Sequence, residues 1–343
     1  MVETSSTVGA MFWRIHGFPR YRLISLPTPL ERAERLGREL GLELYVKRDD
    51  VMELALGGNK ARKLEFILGD ALAKGCDTLI TRGAYHSNHA RLTAAAARKA
   101  GLEAHLVLTP PGSPELQGNV LLDRLLGVEI HPADSYEEAD KLMERIAEEL
   151  KAKGRRPYII PGGGASPHGV LGYAAAALEI LQQLSEAGVR PGYIVHATGT
   201  GATQAGLILG FKLLGADVEV VGISVSRGSG EMKERIAELV KGTAKLLGVQ
   251  LDLEPEEIVV FDEYRFGGYA VITREVVETM KMAARSEALI LDPVYTAKAM
   301  YGLADLASKG YFDGRPVVFL HTGGTPIPFQ TAGKIAPHLA EGS

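Results

Sequence analysis

The sequence predicts an α/β protein with two parallel-sheet domains in one chain, the smaller inserted in the larger. Short apolar strands alternate with longer helical segments along most of the chain, which is the pattern of parallel βαβ units. The 343 residues are enough for two ordinary domains. Three consecutive glycines at 162–164 interrupt the alternation and mark a crossing between domains. The smaller domain is therefore predicted at 62–164, and the larger at 1–61 and 165–343.

The individual elements follow from local patterns. Behind residue 60, apolar residues recur at 64, 67, 68, 71 and 72, which predicts an amphipathic helix. Gly41, Gly75 and Gly188 stop the helices that precede them. A further helix carries Lys298 and Met300. The other helices are predicted at 31–40, 88–100, 114–126, 135–153, 169–187, 204–214, 229–247 and 273–286. The strands are predicted at 44–47, 78–81, 105–109, 128–131, 158–161, 193–197, 219–225 and 317–321.

Composition excludes several functional classes. The net charge is −4 without any run of like charges, whereas a nucleic-acid-binding surface shows clustered Lys and Arg. Cys76 is the only cysteine, so neither an internal disulfide nor a cysteine-rich metal site is expected. No apolar run approaches the ~20 residues that span a bilayer, and the first ten residues lack a signal-peptide pattern. A cytoplasmic protein without a membrane partner is expected. The scarcity of asparagine suggests a heat-adapted source.

Residues 57–63 read Gly-Gly-Asn-Lys-Ala-Arg-Lys and place Lys60 on a tight turn at the start of a helix. A lysine that bonds covalently to an aldehyde needs fixed geometry and surroundings that lower its pKa. Most lysines, however, are solubilising surface charges, and Gly-Gly is often only a turn. Lys60 is thus a candidate nucleophile that other motifs must support.

Residues 198–203 read Thr-Gly-Thr-Gly-Ala-Thr and lie between the predicted strand 193–197 and a helix near Gln204. Glycines, hydroxyls and a helix N-terminus together suit a phosphate group. A dinucleotide-binding turn would require an acidic residue at the end of the next strand. That strand ends at Ser224-Val225-Ser226. A single phosphate therefore fits better than a dinucleotide, and a plain strand-to-helix turn is the simpler alternative.

Residues 85–89 read Tyr-His-Ser-Asn-His and open the predicted helix 88–100. Ser87 suits an N-cap, and a serine and an amide at a helix start can also hold a carboxylate or a ring hydroxyl. His86 and His89 invite a metal interpretation. No carboxylate or cysteine nearby completes a ligand set, so no metal is expected.

Two late motifs complete the candidate set. Tyr264, Tyr269, Tyr295 and Tyr301 cluster late in the chain, and Tyr295 lies in Asp-Pro-Val-Tyr-Thr on a loop before a helix. Functional residues concentrate on such loops. The last predicted strand ends in His-Thr-Gly-Gly-Thr-Pro at 321–326. That place at the carboxyl end of a strand suits a crevice position in an open α/β sheet.

Taken together, these motifs resemble the 1-aminocyclopropane-1-carboxylate (ACC) deaminase and D-cysteine desulfhydrase family. The resemblance runs from about residue 27 to 328. It rests on five motifs in order: Gly-Gly-Asn-Lys-x-Arg-Lys, Ser-Asn-His, Gly-Thr-Gly-Ala-Thr, Asp-Pro-Val-Tyr and His-Thr-Gly-Gly. It implies a pyridoxal 5'-phosphate (PLP) enzyme of the tryptophan-synthase-β-like fold (fold type II). It also implies a homodimer that acts on a small amino acid.

The resemblance also implies a role for each motif. Lys60 would bond covalently to the cofactor and move the Cα proton, Asn88 would bind the ring oxygen, and Thr322 would approach the ring nitrogen. Ser87, Asn88 and His89 would bind the substrate carboxylate side, with Ser87 as a possible base or nucleophile. Tyr269 and Tyr295 would line the substrate side and complete the catalytic set. The cofactor phosphate would lie against Gly199, Thr200, Gly201, Ala202 and Thr203.

One position separates the two branches of this family. In ACC deaminases, a glutamate that pairs with the ring nitrogen follows the tyrosine of Asp-Pro-Val-Tyr, whereas here Thr296 follows it, as in the desulfhydrases. A carboxylate keeps that nitrogen protonated and the ring a strong electron sink. We therefore expect β-elimination from D-cysteine or a serine-type substrate, with ACC deamination as the alternative. A non-catalytic anion-binding protein and a nicotinamide-dependent oxidoreductase are more distant alternatives.

Overall fold

The structure is a computed structural model that describes residues 13–110 and 116–340. Within these residues, the ten β-strands are β1 Leu30–Arg32, β2 Leu44–Arg48, β3 Thr78–Ala84, β4 Glu103–Thr109, β5 Glu129–Pro132, β6 Pro157–Ile160, β7 Tyr193–Thr198, β8 Glu219–Ser224, β9 Val259–Phe261 and β10 Val317–His321. The α-helices of the same residues are α1 Glu34–Leu40, α2 Lys60–Ala73, α3 Asn88–Lys99, α4 Gly118–Leu125, α5 Tyr136–Ala152, α6 Pro167–Glu186, α7 Ala202–Leu214, α8 Ser229–Leu247, α9 Arg274–Glu287, α10 Thr296–Ser308, α11 Ile327–Gln330 and α12 Ala332–Ala340.

Two sheets organise the chain. The larger has the order β1-β2-β10-β7-β8-β9, and the smaller has the order β5-β4-β3-β6. Every pairing is parallel except that of β1 with β2. All strands of the smaller sheet lie between residues 78 and 160, whereas the larger sheet takes strands from both flanking parts. The predicted α/β class is confirmed, and the domain borders at 61/62 and 164/165 stay a prediction.

The helix that carries Lys60 differs from its prediction. It begins at Lys60 itself, and every residue from Ala61 to Ala71 is buried. The predicted helix is present, but it has no polar face open to solvent from Ala61 to Ala71, because neighbouring elements cover both of its sides. On one side, Gly172 of α6 allows such close approach that a Cβ there would lie 2.3 Å from the Arg62 carbonyl oxygen. On the other side lies the core of the smaller sheet, in which Leu64 and Ile67 are members.

Other boundaries changed where tertiary pairing overrides local pattern. The predicted helix 31–40 divides into strand β1 and helix α1, because residues 30–32 pair with β2. Helix α4 begins at Gly118 rather than at 114, a position outside the described residues. Strand β9 and the helices α11 and α12 were not predicted. None of the described helices is long and apolar enough to cross a membrane.

Candidate active site

A cavity of about 430 Å³ lies where strands of both sheets end. It is bounded by the segments that follow β3, β6, β7, β8 and β10 and by the start of α2. Such a crevice beyond the carboxyl ends of parallel strands is the usual ligand position in open α/β sheets. The predicted site residues that line it are Lys60, Ser87, Asn88, His89, Gly199, Thr200, Gly201, Thr203, Tyr269, Tyr295 and Thr322. Ala202 is the exception, since it is buried in the hydrophobic core with Met232 and Ile236.

Lys60 is the first residue of α2, and its Nζ donates to Oδ1 of Asn59 at 2.9 Å. Asn59 in turn donates from Nδ2 to Oγ1 of Thr203 at 3.0 Å. Asn59 thereby connects the lysine to the glycine-rich loop at 198–203. Burial lowers the pKa of Lys60 to about 8, against an opposing effect of the Asp292 carboxylate. A larger neutral fraction near pH 8 makes this amine a far better nucleophile than a surface lysine.

Two glycine turns hold the lysine loop in place. Asn59 N donates to the Thr322 carbonyl oxygen at 3.0 Å. Gly58 has φ +118°, and a Cβ on Gly323 would lie 2.6 Å from the Gly58 Cα. Neither turn has room for a side chain at this contact. The Gly-Gly pairs at 57–58 and 323–324 therefore allow the two loops to touch, and this contact places Lys60 and Thr322 at the same cavity.

The loop at 198–203 has the geometry of an anion site. Gly201 has φ +86° and leads directly into α7, so the helix N-terminus faces the cavity. Opposite it, Gly163 makes room for Thr200, since a Cβ on Gly163 would lie 2.6 Å from Thr200 Cγ2. Lys63 also lines the cavity and is only 1% exposed. Its pKa is well below the usual value because of burial and the nearby Lys60.

Among the described residues, the Lys63 amine has no hydrogen-bond or ion-pair partner. A buried amine beside an anion-binding loop is accounted for by a negatively charged ligand, which would stabilise its protonated form. Sequence analysis did not assign Lys63 a role, although it belongs to the same motif as Lys60. The spacing of three residues, which places both side chains one helical turn apart on α2, was the available signal.

Ser87 and Asn88 begin α3 with their side chains oriented by neighbours. Ser87 Oγ accepts a hydrogen bond from the Ala90 amide at 3.1 Å, which confirms the N-cap and leaves the hydroxyl proton free to donate. Asn88 Oδ1 accepts from Nδ2 of Asn119 at 2.9 Å. The Asn88 NH₂ group is therefore left to donate to a ligand. Asn119 is a second residue that sequence analysis missed, because it lies 31 positions away from its partner.

His89 is buried and held by the fold. Thr81 Oγ1 donates to the Ile160 carbonyl oxygen at 2.9 Å, so it must accept from His89 Nε2 at 2.9 Å. This fixes the proton on Nε2 and leaves Nδ1 as a buried acceptor without a partner among the described residues. Burial holds the pKa of His89 well below its usual range, so the ring is neutral.

Tyr269 and Tyr295 form one wall of the cavity. Their hydroxyl oxygens are 2.6 Å apart, and the rings meet edge to face. Burial raises the pKa of Tyr295 well above its usual value, and Tyr269 adds to the effect. The phenol of Tyr295 therefore remains protonated and can donate a hydrogen bond. The prediction that both tyrosines share one site is consistent with this placement, while Tyr264 and Tyr301 lie outside the cavity lining.

Thr296 is fully buried and is not among the residues that line the cavity. Its hydroxyl donates to Oδ2 of Asp292 at 2.8 Å, while Oδ1 accepts from the backbone amides of Val294 and Tyr295. Asp292 is itself only 1% exposed. Among the described residues that line the cavity, none is an aspartate or a glutamate. The cavity is thus lined by hydroxyls, amides and cations.

Comparison with known proteins identifies the family of this chain. The family model described as "Pyridoxal-phosphate dependent enzyme" matches residues 22–323. The chain belongs to the pyridoxal-phosphate-dependent enzymes. A putative ACC deaminase of Pyrococcus abyssi is 50% identical over 315 residues, which is 91% of this chain and 94% of the relative. A D-cysteine desulfhydrase of Salmonella choleraesuis is 44% identical over 91% of this chain and 96% of the relative. This PLP enzyme therefore belongs to the ACC deaminase and D-cysteine desulfhydrase family, as predicted.

Solved structures support the same assignment. A crystal structure of an ACC deaminase homologue superposes with a TM-score of 0.89 at 46% identity and covers 96% of this chain and 98% of that chain. A tomato threonine deaminase superposes with a TM-score of 0.69 at 20% identity, covers 98% of this chain and 90% of that chain, and shows the shared fold. Fold type II is thereby confirmed. The unpartnered Lys63, the loop at 199–203 and the oriented Asn88 amide fit the phosphate and ring oxygen of PLP.

Proposed function

We propose that this PLP enzyme is a lyase that eliminates the β-substituent of a small amino acid, with D-cysteine as the favoured substrate. D-Cysteine and water would give pyruvate, ammonia and sulfide. The supporting observation is the absence of a carboxylate among the described residues that line the cavity. The hydroxyl of Thr322, rather than a carboxylate, would then face the ring nitrogen. The weaker electron sink that results is enough when the substrate carries a good leaving group such as thiolate.

The cofactor would be held at four points. Lys60 would supply the covalent anchor and the loop at 199–203 the phosphate contacts, including the backbone amide of Ala202 at the start of α7. Lys63 would neutralise the phosphate charge, and Asn88 would donate to the ring oxygen. PLP supplies an electron sink that acidifies the Cα–H of the bound amino acid. Every other contribution comes from protein groups that orient the reactants and move protons.

The substrate would lie between α3 and the tyrosine wall. The free hydroxyl proton of Ser87 and the nearby Asn88 amide can bind its carboxylate at the start of α3, and His89 supports this side. Lys60 is placed to remove the Cα proton, because its lowered pKa gives it a neutral amine at moderate pH. Tyr295 can donate its phenolic proton to the departing group and recover it through Tyr269, 2.6 Å away.

ACC deamination to 2-oxobutyrate and ammonia is the second candidate. The observation that favours it is the presence of Ser87, Tyr269 and Tyr295 together in the cavity. Relatives from three Pyrococcus species carry the name putative ACC deaminase, at 46–50% identity. The more distant alternative of a non-catalytic anion-binding protein is set aside, because the chain belongs to a family of PLP enzymes. A homodimer is proposed from the family resemblance, and a cytoplasmic location from the sequence composition.

A substrate panel distinguishes the candidates. Pyruvate and sulfide from D-cysteine, pyruvate from D- and L-serine, and 2-oxobutyrate from ACC should be assayed with the same purified enzyme. We expect D-cysteine to be turned over with the highest kcat/KM. Efficient ACC turnover without activity on the other substrates would exclude the β-elimination proposal. If the protein remains colourless with added PLP, and borohydride does not fix the cofactor to the Lys60 peptide, it is not an active PLP enzyme. Lys60→Ala is the matched control.

A further inference from the structure

A cluster of two histidines and a glutamate lies outside the cavity, on the neighbouring strands β4 and β5 of the smaller sheet. His105 of β4 is directly opposite Glu129 of β5 in the parallel register, and His131 follows two residues later. Because alternate residues of a strand share one face, Glu129 and His131 point the same way. Neither these two residues nor His105 lines the cavity. The cavity lies beyond the carboxyl end of the neighbouring parallel strand β3, at Arg82 to Ala84. His105 is paired with Ile80, nearer the amino end of that strand.

The three side chains converge on one point. His105 Nδ1 lies 3.0 Å from His131 Nε2. Glu129 Oε2 lies 3.4 Å from His105 Nδ1 and 3.7 Å from His131 Nε2. In a tetrahedral zinc site with bonds of about 2.0–2.2 Å, neighbouring ligand atoms are roughly 3.3–3.6 Å apart. One observed edge, at 3.4 Å, lies in this range, and the other two, at 3.0 and 3.7 Å, miss it by a few tenths of an ångström that small side-chain rotations can supply.

Hydrogen bonding alone leaves this triangle incompletely satisfied. One proton lies between the two imidazole nitrogens and makes one hydrogen bond. The same two nitrogens then have no second proton to donate to the Glu129 carboxylate. A cation at the centre would satisfy all three donor atoms at once. Two imidazoles and a carboxylate are a common zinc ligand set. The two imidazole rings have centroids 5.3 Å apart and 17° between planes, and they present Nδ1 of His105 and Nε2 of His131 to each other.

Burial and charge favour the same ligand. His105 is 7% exposed, whereas the side chains of His131 and Glu129 are 28% and 69% exposed, so the cluster opens to solvent on one side. The carboxylate of Glu129 supplies negative charge for a divalent cation, and the open side leaves room for solvent ligands.

We propose that His105, Glu129 and His131 form a binding site for a divalent transition metal of the zinc class, with solvent completing the coordination. The ion would connect β5, which is an edge strand of the smaller sheet, to its neighbour β4. Its consequence would be structural: an edge strand of four residues gains a cross-link. The site is separate from the PLP chemistry, so the proposal does not depend on the substrate of the enzyme.

Metal titration of the PLP-loaded enzyme tests this site. After dialysis against a chelator, zinc chloride is titrated by calorimetry into the wild type, His131→Ala, Glu129→Gln and His168→Ala. His168 is the matched control, because its imidazole lies 3.5 Å from a single carboxylate, Asp70, and not in a histidine pair. We expect one zinc ion per chain in the wild type and in the control. Loss of a direct ligand should weaken binding on the order of 100-fold or more, since outer-shell changes alone cost about 10–100-fold.

Thermal unfolding provides an independent measurement. Zinc should raise the Tm of the wild type and of His168→Ala, because a ligand that binds the folded state stabilises it. His131→Ala and Glu129→Gln should show no such rise, although their circular dichroism spectra and PLP absorbance match the wild type. Zinc binding of equal strength in both ligand variants would overturn the proposal. Wild-type enzyme that binds no zinc at micromolar concentration would overturn it as well.

Discussion

The side-chain oxygen Oδ1 of Asn88 accepts a hydrogen bond from Nδ2 of Asn119 at 2.9 Å. This contact leaves the NH₂ group of the Asn88 side chain free to donate elsewhere. Asn119 is fully buried and also donates to the His86 carbonyl oxygen at 2.8 Å. It therefore acts as a positioning residue for the proposed contact with the PLP ring oxygen. At the scale of a single residue, the site depends on side chains that never reach the ligand.

Substitution Asn119→Asp tests this dependence. A carboxylate has no proton to donate, so the Asn88 amide would turn its NH₂ group towards position 119 and present its oxygen to the cofactor. We expect PLP affinity, measured by titration of the apoenzyme, to fall by about 10- to 100-fold, in line with ~1–3 kcal/mol for an unsatisfied polar contact. Asn119→Ala is the comparison, because it frees Asn88 without reversing it and should cause a smaller loss. Equal losses in the two variants would contradict the reversal.

At the scale of elements, the glycine-rich turn at 162–164 lets β6 lead into α6 while the loop at 198–203 packs against it. Gly163 has φ +71°, which L side chains rarely adopt, and a Cβ there would collide with Thr200. The turn was predicted as a crossing between domains. Its observed role is more specific, because it provides the space that Thr200 occupies beside the anion site.

Gly163→Ala should therefore displace Thr200 and weaken PLP binding. We expect a loss of roughly tenfold or more, since backbone strain in the left-handed region alone costs about 1–2 kcal/mol. Gly162→Ala is a close control, because a Cβ there would meet only the end of the flexible Arg82 side chain at 3.3 Å. The retained PLP absorbance after gel filtration gives the readout. Equal retention of PLP by both variants would show that Thr200 does not depend on this turn.

At the scale of the whole molecule, a network of buried ion pairs joins α2, the helix that begins at Lys60, to the larger sheet. Arg62 of α2 contacts Asp49, which follows β2, at 2.9 Å and Glu179 of α6 at 2.8 Å. Lys47 of β2 contacts Glu179 at 2.5 Å. Two positive and two negative charges balance one another away from solvent. Because Arg62 is two residues after Lys60, this network anchors the helix that carries the nucleophile.

Glu179→Gln should unbalance this network and lower the free energy of unfolding by about 3–5 kcal/mol, as expected when one member of a buried ion pair is removed. The same substitution at Glu137 is the control. Its pair with Lys141 lies on the surface, with side chains 80% and 73% exposed, so a change below about 1 kcal/mol is expected. Denaturant unfolding measures both, and similar effects at the two positions would refute the role of the network.

The effect of Glu179→Gln on the free energy of unfolding should also depend on pH. Burial alone would raise the pKa of Glu179, but hydrogen bonds and charge from Arg62 and Lys47 lower it to about 2, from 4.5. A depressed pKa stabilises the folded state above the ordinary value, and this contribution disappears as pH falls through the folded value. The stability difference between wild type and Glu179→Gln should therefore be constant above about pH 5 and shrink towards pH 2. A difference that grows on acidification would contradict the assignment.

Much of the fold could be predicted because its strands and helices are long and regular. The strands at 78–84, 193–198 and 317–321 and most of the helices were placed to within a few residues. The errors occur where long-range contacts override local pattern. Strand β1 exists because β2 pairs with it, and α2 is buried on all sides because α6 and the core of the smaller sheet pack against it.

The sequence alone determined the chemistry of this protein. The turns around Lys60 and at 199–203 depend on glycines and helix starts, which are local features, and together with the other motifs they carry the family resemblance from which PLP was predicted. Only the tertiary structure decided how the side chains are oriented and what surrounds them. Three hydrogen bonds show this: Asn119 to Asn88, Thr296 to Asp292, and His105 to His131. Each depends on how the segments pack together. Burial and orientation arise from packing of the whole chain, and no local pattern records them.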